Sequence, residues 1–190
     1  MKNIIFDMDG TILDSMDYWE NLGSNYLKSV GIVPPQNLNK IIEKMTMNES
    51  ALYFIEKLGV KKDIDTIIKE IYDLILYEYE NEIGEKKDIK QIILNEYKKG
   101  THMCILTTSS YKCADKAMKR IGLRNCFKKI ITGDSLNMSK RTKDIYIKTC
   151  EIMKYKIEET LVYEDAPYAI KSAESAGLKV IKVYDKVWDN

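Results

Sequence analysis

Hydrophobic positions along the chain change rhythm twice. Lys2 to Phe6 is a short apolar run of strand length, cut off by Asp7-Met8-Asp9-Gly10-Thr11-Ile12-Leu13-Asp14. From there to about residue 84 the period is helical. Trp19, Leu22, Tyr26, Leu27 and Val30 mark a first helix, stopped by Gly31 and Pro34-Pro35; further helices are predicted over 38–45 and 48–58. A fourth, from Asp63 to about Ile83, carries Ile64, Ile67, Ile68, Ile71 and Ile75 on one face and ends at Gly84.

Beyond residue 84 helix and strand alternate. Ile89, Ile92, Ile93 and Tyr97 form a helical face that closes in Lys98-Lys99-Gly100. Met103 to Leu106 reads as a strand ending in Thr107-Thr108-Ser109-Ser110, and Ala114, Ala117, Met118 and Ile121 as the next helix. Lys129 to Thr132 is a short strand; a polar loop with Lys140 leads to a helix through Tyr146, Cys150 and Met153. Thr160 to Tyr163 is a strand that delivers Glu164-Asp165, Pro167 suits the first turn of the helix behind it, and Lys179 to Val183 is the last strand. Five strands interleaved with helices predict an α/β fold: a Rossmann-like parallel sheet with helices on both faces. The expected division is a catalytic core of residues 1–14 and 85–190, interrupted by an all-helical cap at 15–84.

Composition narrows the function classes. Lys plus Arg number 30 against 29 Asp plus Glu, so no bulk attraction to nucleic acid or an anionic membrane is expected. The 45% hydrophobic content suits a protein with a real core. Cys104, Cys113, Cys126 and Cys150 include no C-x-x-C pair and are expected to be free buried thiols. The early acids break any secretory pattern and no apolar run is of membrane-spanning length, so a cytoplasmic monomer is expected.

Polar residues gather where strands stop: Asp7 and Asp9 after the first, Thr107 and Thr108 after the second, Lys140 in the loop following the third, Glu164 and Asp165 after the fourth. In an open α/β sheet these ends share one edge. Four carboxylates placed together repel and require a cation, and an oxygen-only ligand set favours magnesium over zinc or copper. Lys140, Thr107 and free backbone N–H groups bind anionic oxygens instead. A site with both kinds of group suits a phosphate ester. Asp7 could attack phosphorus, and Asp9 could protonate the leaving oxygen and then activate water.

In order and content, Asp7-Met8-Asp9-Gly10-Thr11, Thr107, Lys140 and Glu164-Asp165 resemble the haloacid dehalogenase superfamily of phosphatases and phosphomutases. A helical insertion directly behind the first motif resembles the subgroup of β-phosphoglucomutase and phosphoglycolate phosphatase. The resemblance implies Asp7 as nucleophile and metal ligand, Asp9 as acid/base that binds the metal through its backbone carbonyl, and Thr107, Thr108 and Lys140 as phosphate contacts. It implies Glu164 and Asp165 as the remaining ligands of Mg2+, and a small phosphorylated substrate. Two departures stand out. Lys140-Arg141-Thr142-Lys143-Asp144 lacks the prolines that often follow the family's loop lysine, and Met47 stands near where β-phosphoglucomutases carry an arginine for a second phosphate.

Taken singly, several of these residues have plainer readings. Thr107 and Ser109 could be helix caps, Glu164-Asp165 an N-cap, Lys140 a solvated loop lysine, and His102 structural. Tyr72, Tyr77 and Tyr79 are expected to pack, and Tyr18-Trp19 to meet substrate. The leading expectation is a magnesium-dependent phosphatase working through an aspartyl-phosphate. A phosphomutase and a non-enzymatic phosphoacceptor or phosphate-binding module are the alternatives.

Overall fold

The computed structural model describes residues 2–189. The four residues of β1 (Asn3–Phe6) are all buried. They pair in parallel with β2 (His102–Thr107) on one side and β4 (Thr160–Glu164) on the other. Strands β3 (Lys129–Thr132) and β5 (Lys179–Lys182) complete a five-stranded parallel sheet in the order β3-β2-β1-β4-β5. The chain builds outward from β1 through β2 to β3, then returns to β1 and builds the other way. The reversal lies beside β1, at whose carboxyl end an open α/β sheet forms its crevice.

Among the described residues ten α-helices accompany the strands. They are α1 (Met16–Ser29), α2 (Leu38–Ile42), α3 (Met47–Glu56), α4 (Ile64–Asn81), α5 (Lys87–Lys98), α6 (Tyr111–Arg120), α7 (Gly133–Leu136), α8 (Asp144–Met153), α9 (Pro167–Ser175) and α10 (Lys186–Asp189). The chain divides into two compact units, Met1–Met16 with Tyr79–Asn190, and Asp17–Glu78. The last turn of α4 thus belongs to the sheet unit.

In the sheet unit, alternation along each strand sends successive side chains to opposite faces. Ile5, Cys104, Leu106, Ile131 and Val162 form one cluster with Ile145, Tyr146 and Cys150 of α8 and Ala173 of α9. Ile4, Phe6, Met103, Ile105, Ile130 and Tyr163 occupy the other face and are also buried. Burial on both faces explains why β1 to β4 read as apolar runs; the edge strand β5 is largely exposed. Phe6 stacks on Tyr163 with centroids 4.8 Å apart, a geometry worth about 0.5–1.5 kcal/mol beyond the buried area.

In the helical unit, Leu22, Tyr26, Leu27, Leu38, Phe54, Ile67 and Ile71 are buried, and Tyr26 stacks on Phe54 at 5.9 Å. Thr46 and Glu49 bond reciprocally at the start of α3, satisfying two donors that a helix N-terminus leaves open. Gly23 lies against the end of the Ile42 side chain, so that a Cβ there would fall 2.8 Å from Ile42 Cδ1 and the isoleucine would have to move.

All four cysteines are free and buried. Among the described residues no helix is long and apolar enough to cross a membrane. Two short helices depart from the sequence expectation. α7 forms in the stretch expected to be loop, because Thr132 and Ser135 cap its four residues reciprocally; α10 was not anticipated behind β5. Tyr97, expected on the buried face of α5, is half exposed, as are Tyr72 and Tyr77.

Candidate active site

The loop after β1 is shaped residue by residue. Asp7 N donates to Tyr163 O at 2.9 Å, extending the pairing with β4 by one step. The chain then turns tightly: Ile12 N and Leu13 N both donate to Met8 O, and Gly10 N donates to Leu13 O. Gly10 has φ +79°, and a Cβ on it would lie 2.3 Å from Asp165 Oδ2. Glycine is therefore required twice, for the left-handed backbone and for the close approach of an acid. Thr11 is fully buried and donates to Asp165 Oδ1 at 2.8 Å.

Asp7, Glu164 and Asp165 bring carboxylate oxygens within 4.8 Å of one another. Lys140 is 2% exposed despite lying in a loop, and its Nζ donates to Asp7 Oδ1 and, at 2.9 Å, to Glu164 Oε2. Glu164 also accepts from Tyr146 Oη at 3.2 Å and from the backbone N–H groups of Asp165 and Ala166. Lys143, the nearby alternative, is exposed at the head of α8.

Charge in this cluster does not balance. Burial, and then the Glu164 carboxylate, push Asp7 well above its ordinary range, against the pull of Lys140. Burial and Glu164 likewise raise Asp165 to about 6. Burial works against the charge on Lys140, but Asp7 and Glu164 outweigh it and hold the ammonium firmly protonated. One ammonium among three carboxylates leaves an excess of negative charge, and Asp7 Oδ2 is buried without a hydrogen-bond partner. Oxygen donors, excess anionic charge and an orphaned carboxylate oxygen together fit a hard divalent cation.

Asp9 occupies a different environment. Its Oδ1 accepts from Ser15 Oγ at 2.7 Å and Tyr79 Oη at 2.5 Å, and its Oδ2 accepts from Ser109 Oγ at 2.6 Å. Tyr79 and Ser109 hydroxyls lie 3.2 Å apart. No ammonium or second carboxylate takes part in these bonds, and the Asp9 side chain is not among the three clustered acids.

Thr107 ends β2 buried, its Oγ1 accepting from Ser109 N at 3.0 Å, while Thr108 is exposed on the turn. The plain reading of Thr107 and Ser109 as caps is corrected by the structure. Ser110 caps α6, accepting from Cys113 N, which frees the Ser109 hydroxyl for Asp9. Tyr79, expected to pack, is buried but spends its hydroxyl on Asp9. Its signal lay in the stripe Ile67-Ile71-Ile75-Tyr79, which ends in a residue with a polar tip. Ser15, Tyr146 and Trp188, whose Nε1 donates to Asp165 Oδ2 at 2.9 Å, carried no signal that spacing could expose.

The phosphorylated carbohydrates phosphatase of Thermotoga maritima is 22% identical over 181 residues, covering 95% of this chain and 84% of that protein. A T. maritima protein solved under the provisional name β-phosphoglucomutase superposes with a TM-score of 0.87 at 21% identity, over 100% of this chain and 88% of that one. YfnB of Bacillus subtilis, a provisionally assigned HAD hydrolase solved with magnesium bound, gives a TM-score of 0.81 at 19% identity, over 96% and 88%. Residues 4–183 match the haloacid dehalogenase-like hydrolases as a family. The chain belongs to that family and is an enzyme of its phosphatase kind.

Proposed function

We propose that the protein is a Mg2+-dependent phosphatase that hydrolyses a small phosphorylated metabolite, of the sugar phosphate or phosphoglycolate type, through an aspartyl-phosphate on Asp7. The observation that carries this reading is the Asp7 carboxylate itself. It is buried at the end of the central strand, one oxygen bonded to Lys140 and the other without any partner. The carboxylate has two oxygens, so one can attack phosphorus while the other faces the cation.

An oxygen of Asp7 attacks the phosphoryl group as the bond to the leaving oxygen breaks, and Asp9 hands that oxygen its proton. Asp9 then takes a proton from water, which attacks the aspartyl-phosphate, releases inorganic phosphate and restores Asp7. Lys140, Thr107 and Thr108 bind the phosphoryl oxygens, with Lys140 offsetting their charge. Asp7, Glu164, Asp165 and the backbone carbonyl of Asp9 would hold Mg2+, which supplies neutralising charge at the phosphoryl oxygens when bound. Residues 15–84 are read as a helical cap on the family resemblance. The name of the T. maritima relative supports a phosphorylated carbohydrate. Met47, in place of a cation for a second phosphate, favours hydrolysis over the phosphomutase reaction.

The test is turnover of p-nitrophenyl phosphate and of a panel of sugar phosphates and phosphoglycolate. Activity should require Mg2+, and Asp7→Asn should lower it by at least about a thousandfold. Full activity in chelator, or retained turnover in that variant, would contradict the mechanism. Isomerisation of a hexose phosphate without release of phosphate would favour the mutase.

A further inference from the structure

Asp165 is gripped from two sides. Thr11, from the loop after β1, donates to Oδ1; Trp188, from α10 near the far end of the chain, donates through Nε1 to Oδ2. A carboxylate has about four lone-pair directions, so two remain for a cation after both bonds form. The two donors fix the plane of the carboxylate and thereby its aim.

The turn that carries Trp188 is itself anchored. Val183 N donates to Glu164 O at 2.9 Å, tying the exit of β5 to the end of β4. Asp185 is 2% exposed, and Lys86 Nζ clamps both its Oδ2, at 2.8 Å, and the Tyr184 carbonyl, at 2.7 Å. Asp185 Oδ1 accepts from Val187 N, and its carbonyl accepts from Trp188 N at 3.1 Å. This buried acid has no part in the proposed chemistry; what it holds is the four-residue helix. The indole meets the edge of Tyr168, with centroids 6.1 Å apart, and the Arg141 guanidinium lies 4.4 Å over the same Tyr168 ring. Phenylalanine would supply that aromatic contact. Only an indole supplies the N–H to Asp165.

We propose that Trp188 is a positioning residue for the metal site, holding Asp165 in the orientation that binds Mg2+ and coupling the segment after β5 to cation affinity. This rests on the reading of Asp165 as a Mg2+ ligand. Partners that orient a ligand typically change metal affinity 10–100-fold when removed.

The experiment is calorimetric titration of the full chain with MgCl2. Trp188→Phe is expected to weaken Mg2+ binding about tenfold. Turnover should return to within about twofold of the parent once Mg2+ saturates, and the thermal midpoint in chelator should stay that of the parent. An unchanged Mg2+ affinity overturns the proposal, as does a loss of turnover that excess Mg2+ does not restore. The sequence has two tryptophans, so Trp19→Phe leaves Trp188 as the one tryptophan, read by exciting at the red edge beyond tyrosine absorption. Its fluorescence should change with the calorimetric half-saturation, and emission indifferent to Mg2+ counts against the proposal. Asp165→Asn separates the two levels of the argument. If that variant binds Mg2+ like the parent, the metal-site reading falls and Trp188 with it. If it loses binding while Trp188→Phe does not, the role of Trp188 alone falls.

Discussion

Asp7 and Asp9 stand two residues apart at the end of one strand, yet the structure treats them as opposites. Around Asp7 everything is charged: Lys140, Glu164 and Asp165 lie in contact or near it, all nearly excluded from water. Around Asp9 the hydrogen-bond partners are neutral hydroxyls, from Ser15, Tyr79 and Ser109. The first environment is one in which charge must be cancelled from outside. The second holds a carboxylate in place through three hydroxyl donors. Under the proposed mechanism Asp7, as nucleophile, uses the former, and Asp9, as the group that gives and takes a proton, uses the latter.

Three substitutions test the contrast, in decreasing order of effect. Asp9→Asn should lower kcat by about 10²–10⁴ while calorimetric Mg2+ affinity stays near that of the parent, since the backbone carbonyl is untouched. Lost metal binding would merge the two environments into one. Lys140→Met should lower kcat by about 10²–10³. It should also destabilise the metal-free protein in urea by about 3–5 kcal/mol, because two buried carboxylates lose their counter-charge. A purely catalytic effect with no loss of stability would mean that the cluster relaxes by protonation alone. Tyr79→Phe should cost about tenfold in kcat with KM unchanged, and more for an alkyl than for an aryl phosphate, whose leaving group needs less help from Asp9. An equal loss on both substrates would separate Tyr79 from proton transfer.

The sheet was legible because β1 to β4 are largely buried on both faces and announce themselves as apolar runs, each broken by a polar string, while the exposed edge strand β5 shows only Val180-Ile181 between lysines. α7 and α10 were not, since four residues cannot carry a period. The charged half of the site was legible too: Asp7, Glu164 and Asp165 sit at strand ends, and topology brings strand ends together. Taken alone Lys140 reads like any loop lysine, and its place in the site came from the family resemblance, because nothing in Ser139-Lys140-Arg141 tells a solvated ammonium from one aimed inward. The hydroxyl set around Asp9 was the least legible. Ser15, Tyr79 and Ser109 come from a loop, the end of a helix and a turn, with no common spacing, and each residue type serves more often as a cap or as packing.

The strand order also dictates when this enzyme becomes an enzyme. β1 lies at the middle of the sheet, and its register partner Thr160 is 157 residues from Asn3. During synthesis, Asp7 leaves the ribosome long before Lys140, Glu164 or Asp165 exists, and a ribosome adding about 5–20 residues per second takes on the order of ten seconds to supply them. For that interval the central strand has apolar faces and an open edge. Its partners are the most distant in the chain, so closing it carries the full entropy of a long loop and makes it a late event in folding. Catalytic competence is thus a sensitive report of complete folding, and a chain truncated before β4 would leave one edge of its central apolar strand unpaired while lacking Glu164 and Asp165.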